Sequence, residues 1–171
     1  MLPAALMVLL ALECAPASPP FYLPDMPSQY EALRTHSRAG AVCELPLGIR
    51  DGFGEIGKFD SSVLLHQTLH ERPIVGGFLA RLDPRVGREY ASMAVIGTFL
   101  RLSSGGRLSD ETVSMTSVQA ARSLDSAGIG FVVLDVRTAS TDLVRYVQSS
   151  IALTLIGEQD GRVFYEVSPK G

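Results

Sequence analysis

Ile129-Gly130-Phe131-Val132-Val133-Leu134-Asp135-Val136 is the stretch that decides the fold. A strand with one wet face alternates apolar and polar residues. This run is nearly continuously apolar, so it reads as a strand covered on both faces. A helix over roughly residues 114–127 leads into it and stops at Gly128. Ser140 or Thr141 caps the helix that follows, with Leu143, Val144, Val147 and Ile151 facing inward. Residues 154–158 and Arg162–Val167 then pair as a hairpin across Gln159-Asp160-Gly161. Strand, helix and closing hairpin together predict a layered α/β domain. Its sheet is expected to be mainly parallel with an antiparallel C-terminal hairpin, and to carry helices on both faces.

Working outward, Ala41-Val42-Cys43-Glu44-Leu45 is the second buried strand, closed by Pro46 and Gly48. A short helix over residues 30–37 precedes it. Gly48, Gly52, Gly54 and Gly57 follow it, without the Lys-Ser/Thr ending of a phosphate loop or a dinucleotide spacing, and read as a flexible loop. Asp60 caps a helix running to about Glu71. Pro73-Ile74-Val75 makes a short strand, and Gly76-Gly77 marks a turn or a close backbone approach. Asp83-Pro84 is an N-cap with proline at the first helical position. Val86, Tyr90, Met93, Ala94, Gly97 and Leu100 then line one face of a single helix up to Ser103.

The chain has 171 residues, one domain's length with room for a tail. Apolar residues make up 46% and charged ones 19%, which suits a packed core and excludes disorder. A formal charge of -3, with arginines scattered singly, argues against a nucleic-acid partner. Residues 1–14 are an apolar segment, 15–29 a Pro-rich spacer, and 30–171 the soluble α/β domain. Met1 to Leu12 would reach only about 18 Å as a helix, against a hydrocarbon core of about 30 Å. No Lys or Arg precedes Arg34, which argues against a signal peptide. Glu13 argues against a lipid anchor at Cys14. The preferred reading is the outer half of a transmembrane helix, with an apolar helix packed on the domain as the alternative. A disulfide between Cys14 and Cys43 is not expected. The prolines hold the spacer extended.

No catalytic constellation emerges. His66 and His70 stand four apart on a predicted helix and can share one face. That is a metal-ligand spacing, but His66-Gln67-Thr68-Leu69-His70 lacks the Glu that zinc peptidases place after the first His. A third ligand is unassigned as well, so neither metal nor cofactor is expected. No Gly-x-Ser-x-Gly elbow occurs, and Asp and Glu sit mostly at caps and turns. The densest polar cluster is Gln67, His70, Arg72 and Arg81 around the Gly76-Gly77 turn. One reading is an anion or sugar pocket in which Gln67, His70 and Arg81 bind, with Arg81 as the charged donor. The favoured one has His70 and Arg81 converge on the turn and fix it through its carbonyls.

Gln67-Thr68-Leu69-His70-Glu71-Arg72-Pro73-Ile74-Val75-Gly76-Gly77-Phe78-Leu79-Ala80-Arg81 resembles a segment of bacterial multi-spanning membrane proteins of the GT-C glycosyltransferase type, the dolichyl-phosphate-mannose mannosyltransferase-like group. Glu44-Leu45-Pro46, Gly128-Ile129-Gly130-Phe131-Val132-Val133-Leu134 and Asp160-Gly161-Arg162-Val163-Phe164-Tyr165 fit as well. The resemblance implies a non-catalytic extracytoplasmic domain at the cell membrane, held there by the N-terminal apolar segment. Its partners would be the transmembrane part of a parent protein, or a glycan or lipid-linked sugar. The parent would use a polyprenyl-phosphate sugar. This chain carries none of the early membrane loops that bear the family's catalytic acid, so it alone is expected to transfer no sugar. Two other classes stand beside this reading: a secreted or tethered stand-alone binding module, and a metal-dependent hydrolase using His66 and His70.

Overall fold

A computed structural model describes residues 26–109 and 115–170. In chain order the elements are α1 (Gln29–Thr35), β1 (Ala41–Leu45), β2 (Gly48–Arg50), β3 (Glu55–Gly57), α2 (Ser62–His70), β4 (Gly77–Phe78), α3 (Pro84–Ser92), α4 (Ala94–Ser103), α5 (Ser117–Ser126), β5 (Ile129–Asp135), α6 (Thr141–Ser150), β6 (Leu153–Gln159) and β7 (Arg162–Val167). The apolar segment, the spacer as far as Asp25, and Ser114 lie outside the described residues. Among the described residues no helix is long and apolar enough to cross a membrane.

The main sheet has the order β1-β5-β7-β6. β1 and β5 run parallel, while β5/β7 and β6/β7 are antiparallel. The α/β class and the C-terminal hairpin are as expected. The sheet is mixed because the hairpin docks directly against β5, so parallel pairing stops there. β5 is buried along its whole length. Its Phe131 and Val133 join Val42 and Phe164 under Tyr30 and Leu33 of α1, with Leu69 of α2 at the margin. Its Val132 and Leu134 point the other way, into a larger cluster with Phe99, Leu124 and Val147 from α4, α5 and α6. Both faces are therefore helix-covered, which is what the continuous apolar run required. β1 stands at the end of the sheet order, yet its edge is guarded. The Val42 amide donates to the Pro73 carbonyl at 2.8 Å, and the Val75 amide donates to the Val42 carbonyl at 3.0 Å. The strand expected at residues 73–75 is thus one parallel bridge from Val42 to Ile74.

Two expectations are corrected. The glycine-rich loop is a built hairpin, in which β2 pairs antiparallel with β3 and parallel with β4. Asp51 closes its turn by accepting from the amides of Phe53 and Gly54, both at 2.7 Å. The long helix up to Ser103 is two helices. Met93 is extended (φ -70, ψ 122), ending α3 and beginning α4. Gly97 makes the break possible, since a Cβ there would lie 2.2 Å from the Ala91 carbonyl oxygen. Gly76, by contrast, does mark the close approach expected of it. Its φ is +85, and a Cβ would fall 2.5 Å from the Gly48 carbonyl oxygen.

Candidate functional site

β1 carries one charged residue, Glu44, between buried Cys43 and Leu45. Strand alternation sends it to the same face as Val42, beneath α1 and α2. There Glu44 Oε2 accepts the Tyr30 hydroxyl at 2.8 Å and lies 2.9 Å from His66 Nδ1. A carboxylate oxygen can only accept, so Nδ1 carries the hydrogen of that bond. The spacing of four sets both histidine rings along Tyr30, with centroids 4.4 Å away for His66 and 5.9 Å for His70. Burial, reinforced by the charge of Glu44 and its hydrogen bond, pushes the Tyr30 phenol up. Glu44 Oε1 is buried and has no hydrogen-bond partner among the described residues.

That oxygen belongs to a residue lining a niche of about 20 Å³ walled also by Asp60, Ser62, Asp135, Thr138 and Arg162. The niche lies at the carboxyl ends of the parallel strands β1 and β5, where ligands of open α/β sheets bind. It adjoins an outer cavity of about 220 Å³ bearing Lys58 and Phe59, and the two share Pro46, Asp60 and Thr138 as walls. Burial acts to raise the Asp135 carboxyl. Hydrogen bonds from the Arg137 side chain and amide, with the charge of Arg162, outweigh it and hold the group below the ordinary carboxylate range. Arg162 Nη2 stands 3.6 Å from Asp135 Oδ2. Glu44 and Asp135 escaped the sequence reading of the site. A lone Glu inside an otherwise apolar buried strand was the available signal, because such a charge must find partners.

Three of the four residues in the expected polar cluster do meet, and they form a clasp. Arg72 donates from Nε to the Leu33 carbonyl at 2.6 Å, from Nη2 to His36 at 2.8 Å and from Nη1 to Arg38 at 2.8 Å. Gln67 Nε2 donates to the Arg72 carbonyl at 3.3 Å, and His70 Nδ1 accepts the Arg72 amide at 3.1 Å. Arg81 is elsewhere. It is exposed, makes no hydrogen bond or ion pair among the described residues, and lines a groove of about 460 Å³ with Asp51, Phe53, Glu55, Ile56, Leu82 and Pro84. The convergence of His70 and Arg81 on the Gly76-Gly77 turn is therefore corrected: Arg72, not Arg81, is the arginine that bonds carbonyls.

His70 is fully buried, and with Nδ1 accepting, its hydrogen sits on Nε2, which has no partner among the described residues. Burial, with the charges of His66 and Arg72 adding, lowers its pKa from 6.5 to about 4. Above 6.5 both folded and unfolded chains hold the ring neutral. As the pH falls from 6.5 to about 4, only the unfolded chain takes up the proton, so His70 stability is lost at up to ~1.4 kcal/mol per pH unit. His70→Asn keeps an acceptor near the Nδ1 position and should flatten this part of the stability curve. Urea titrations across that window check it, and equal slopes for the two proteins would refute it.

Among the described residues no group of three or more His, Cys, Asp or Glu side chains is arranged to hold a metal ion. The Nδ1 side of His66 is occupied by Glu44 instead. No protein-family model, no curated protein and no solved structure matches the chain.

Proposed function

We propose that this chain is a non-catalytic extracytoplasmic domain of a membrane glycosyltransferase-like protein, and that it holds an acceptor or partner in the groove beside Arg81. The groove carries this reading. Its walls are apolar, Phe53 stands 89% exposed at its rim, and Arg81 supplies a charge with no hydrogen-bond partner among the described residues. Asp51 and Glu55 line the groove as well, and the charge of Arg81 acts on the Asp51 carboxyl. Asp51 Oδ2 accepts the Leu82 amide at 2.8 Å while Oδ1 holds the turn, and Glu55 Oε1 accepts the Phe59 amide at 2.6 Å. The Leu82 amide, then those of Phe53 and Gly54, hold the Asp51 carboxyl below its ordinary range, which makes it a poor proton donor. A largely apolar wall with a guanidinium that has no hydrogen-bond partner suits an apolar body whose carboxylate or phosphate end seats on Arg81, away from Asp51 and Glu55. It offers anchoring, not acid–base chemistry.

The test is Arg81→Ala in the full chain, titrated with dodecyl phosphate as the probe. Binding should weaken by about tenfold, the loss of one charge-assisted contact. The urea unfolding midpoint should stay where it was, since the removed side chain is exposed and touches no carbonyl. Equal affinity in both proteins would sink the assignment of this groove.

A further inference from the structure

We infer that the domain rests on a lipid bilayer through one apolar patch, formed by Leu64, Ile74, Phe78 and Phe59 around the edge strand β4. Phe78 is 51% and Leu64 39% exposed. The four side chains adjoin one another. Leu64 Cδ2 and Ile74 Cδ1 converge on Gly77, 3.5 and 3.4 Å from where a Cβ on it would stand. Phe78 follows Gly77 in β4, and its ring centroid lies 6.4 Å from that of Phe59. Single exposed apolar side chains need no explanation, but a joined set does. The place of the patch says what covers it. α1 and α2 run side by side in the same direction: Tyr30, at the start of α1, stacks on His66 of α2, while the later Leu33 carbonyl meets Arg72 beyond the end of α2. Both helices therefore begin at one end of the domain, about 8–10 Å apart. Leu64 stands in the first turn of α2, and the start of α1 is where the chain arrives from residues 1–25. Met1 to Leu12 contains no polar side chain. Docked on the patch, such a segment would still turn apolar surface to water, whereas a bilayer covers segment and patch together. Arg50 and Lys58 flank the patch against Glu55 and Asp60, two charges of each sign, so a neutral lipid suffices. The inference rests on the membrane setting of the proposed function, but its four residues line no part of the groove.

The chain has no tryptophan, so Phe78→Trp in the full chain places a single emitter in the patch. It is mixed with phosphatidylcholine vesicles, with and without brominated acyl chains, and sedimented in parallel. Its emission is expected to shift to the blue and to be quenched by the brominated lipid. Leu155→Trp, on β6 at the other edge of the main sheet, should stay unshifted and unquenched. Leu64→Asp added to Phe78→Trp should abolish the quenching, while the protein still sediments through its N-terminal segment. The first turn of α2 holds no acidic residue, and one there suits the helix dipole, so this variant keeps its fold. Protein that sediments while Phe78→Trp stays unquenched overturns the face and leaves the membrane setting standing. Equal quenching in Leu155→Trp does the same. Protein that never sediments with the vesicles overturns both, without touching the dodecyl phosphate titration of the groove. A blue shift that grows with protein concentration and needs no vesicles assigns the patch to a second copy of the chain, and overturns the inference as well. Should Phe78→Trp fold poorly, Leu64→Trp reads the same patch.

Discussion

Arg72→Ala should destabilise the fold by about 2–4 kcal/mol, the loss of three hydrogen bonds from a charged donor at a half-buried position. The loss comes from both ends of the side chain. Its three donating nitrogens hold the carbonyls of Leu33, His36 and Arg38, which close the C-terminal end of α1 and the chain leading to β1. Without it the Leu33 carbonyl would keep only the His36 amide at 3.3 Å, at a helix end where a cation is also favoured by the helix dipole. The guanidinium carbon sits 4.6 Å from the centroid of Phe131, whose other neighbour is the edge-on ring of His36 at 5.2 Å. Removing Arg72 therefore loosens α1 and uncovers the central aromatic of the smaller core cluster at once. Arg72→Lys should restore less than half of the loss, because a lysine is a point charge and cannot span three carbonyls in one plane. Chemical unfolding measures both variants. A midpoint for Arg72→Ala within about 1 kcal/mol of the parent would show that solvent satisfies these carbonyls.

How far the sequence could be read depended on the range over which each signal acts. Residues 129–135 were legible as a buried strand because covering a strand on both faces leaves a continuous apolar run, a purely local record, and residues 41–45 show such a run broken only by Glu44. The C-terminal hairpin was legible from its turn, where Asp160 and Gly161 have positive φ. The split at Met93 was not, since apolar residues continue through it. The break depends on Ala91 meeting Gly97, a contact that exists only once the two helices have folded on each other. The glycines of 48–57 misled in the opposite direction. Gly48 and Gly57 are not there for mobility: a Cβ on Gly48 would fall 2.1 Å from the Phe59 amide nitrogen, and one on Gly57 2.1 Å from the Leu47 carbonyl oxygen. For the site, the spacing of His66 and His70 correctly implied one face. What that face meets, Tyr30 and Glu44, comes from residues 22 and more positions away; the lone Glu in an apolar strand signals that partners are needed, but not which. Arg72 and Arg81 could not be told apart in the sequence, as both flank the same turn. Only the path of the chain sends one under α1 and the other to the groove.

Glu44→Ala should cost about 2–5 kcal/mol, as expected when the shared acceptor of two buried hydrogen bonds is removed. It removes the acceptor that the buried Tyr30 hydroxyl and His66 Nδ1 share, beneath stacked rings that keep water away. The more telling variant removes all three polar groups together: Tyr30→Phe, Glu44→Leu and His66→Leu. A fully apolar replacement of a buried polar network loses no unsatisfied group, and such replacements are often neutral or stabilising. The triple variant should accordingly be more stable than Glu44→Ala by at least about 2 kcal/mol. That comparison bears on function. If hydrocarbon serves the core as well as this network does, then stability alone does not account for a carboxylate buried between β1 and α2 with one oxygen unmatched. Were the triple variant instead as unstable as Glu44→Ala, the network would be a structural element in its own right. The unmatched oxygen would then be a residual cost of that element, with no bearing on binding. Urea unfolding of the two variants beside the parent chain distinguishes these outcomes by the order of their midpoints.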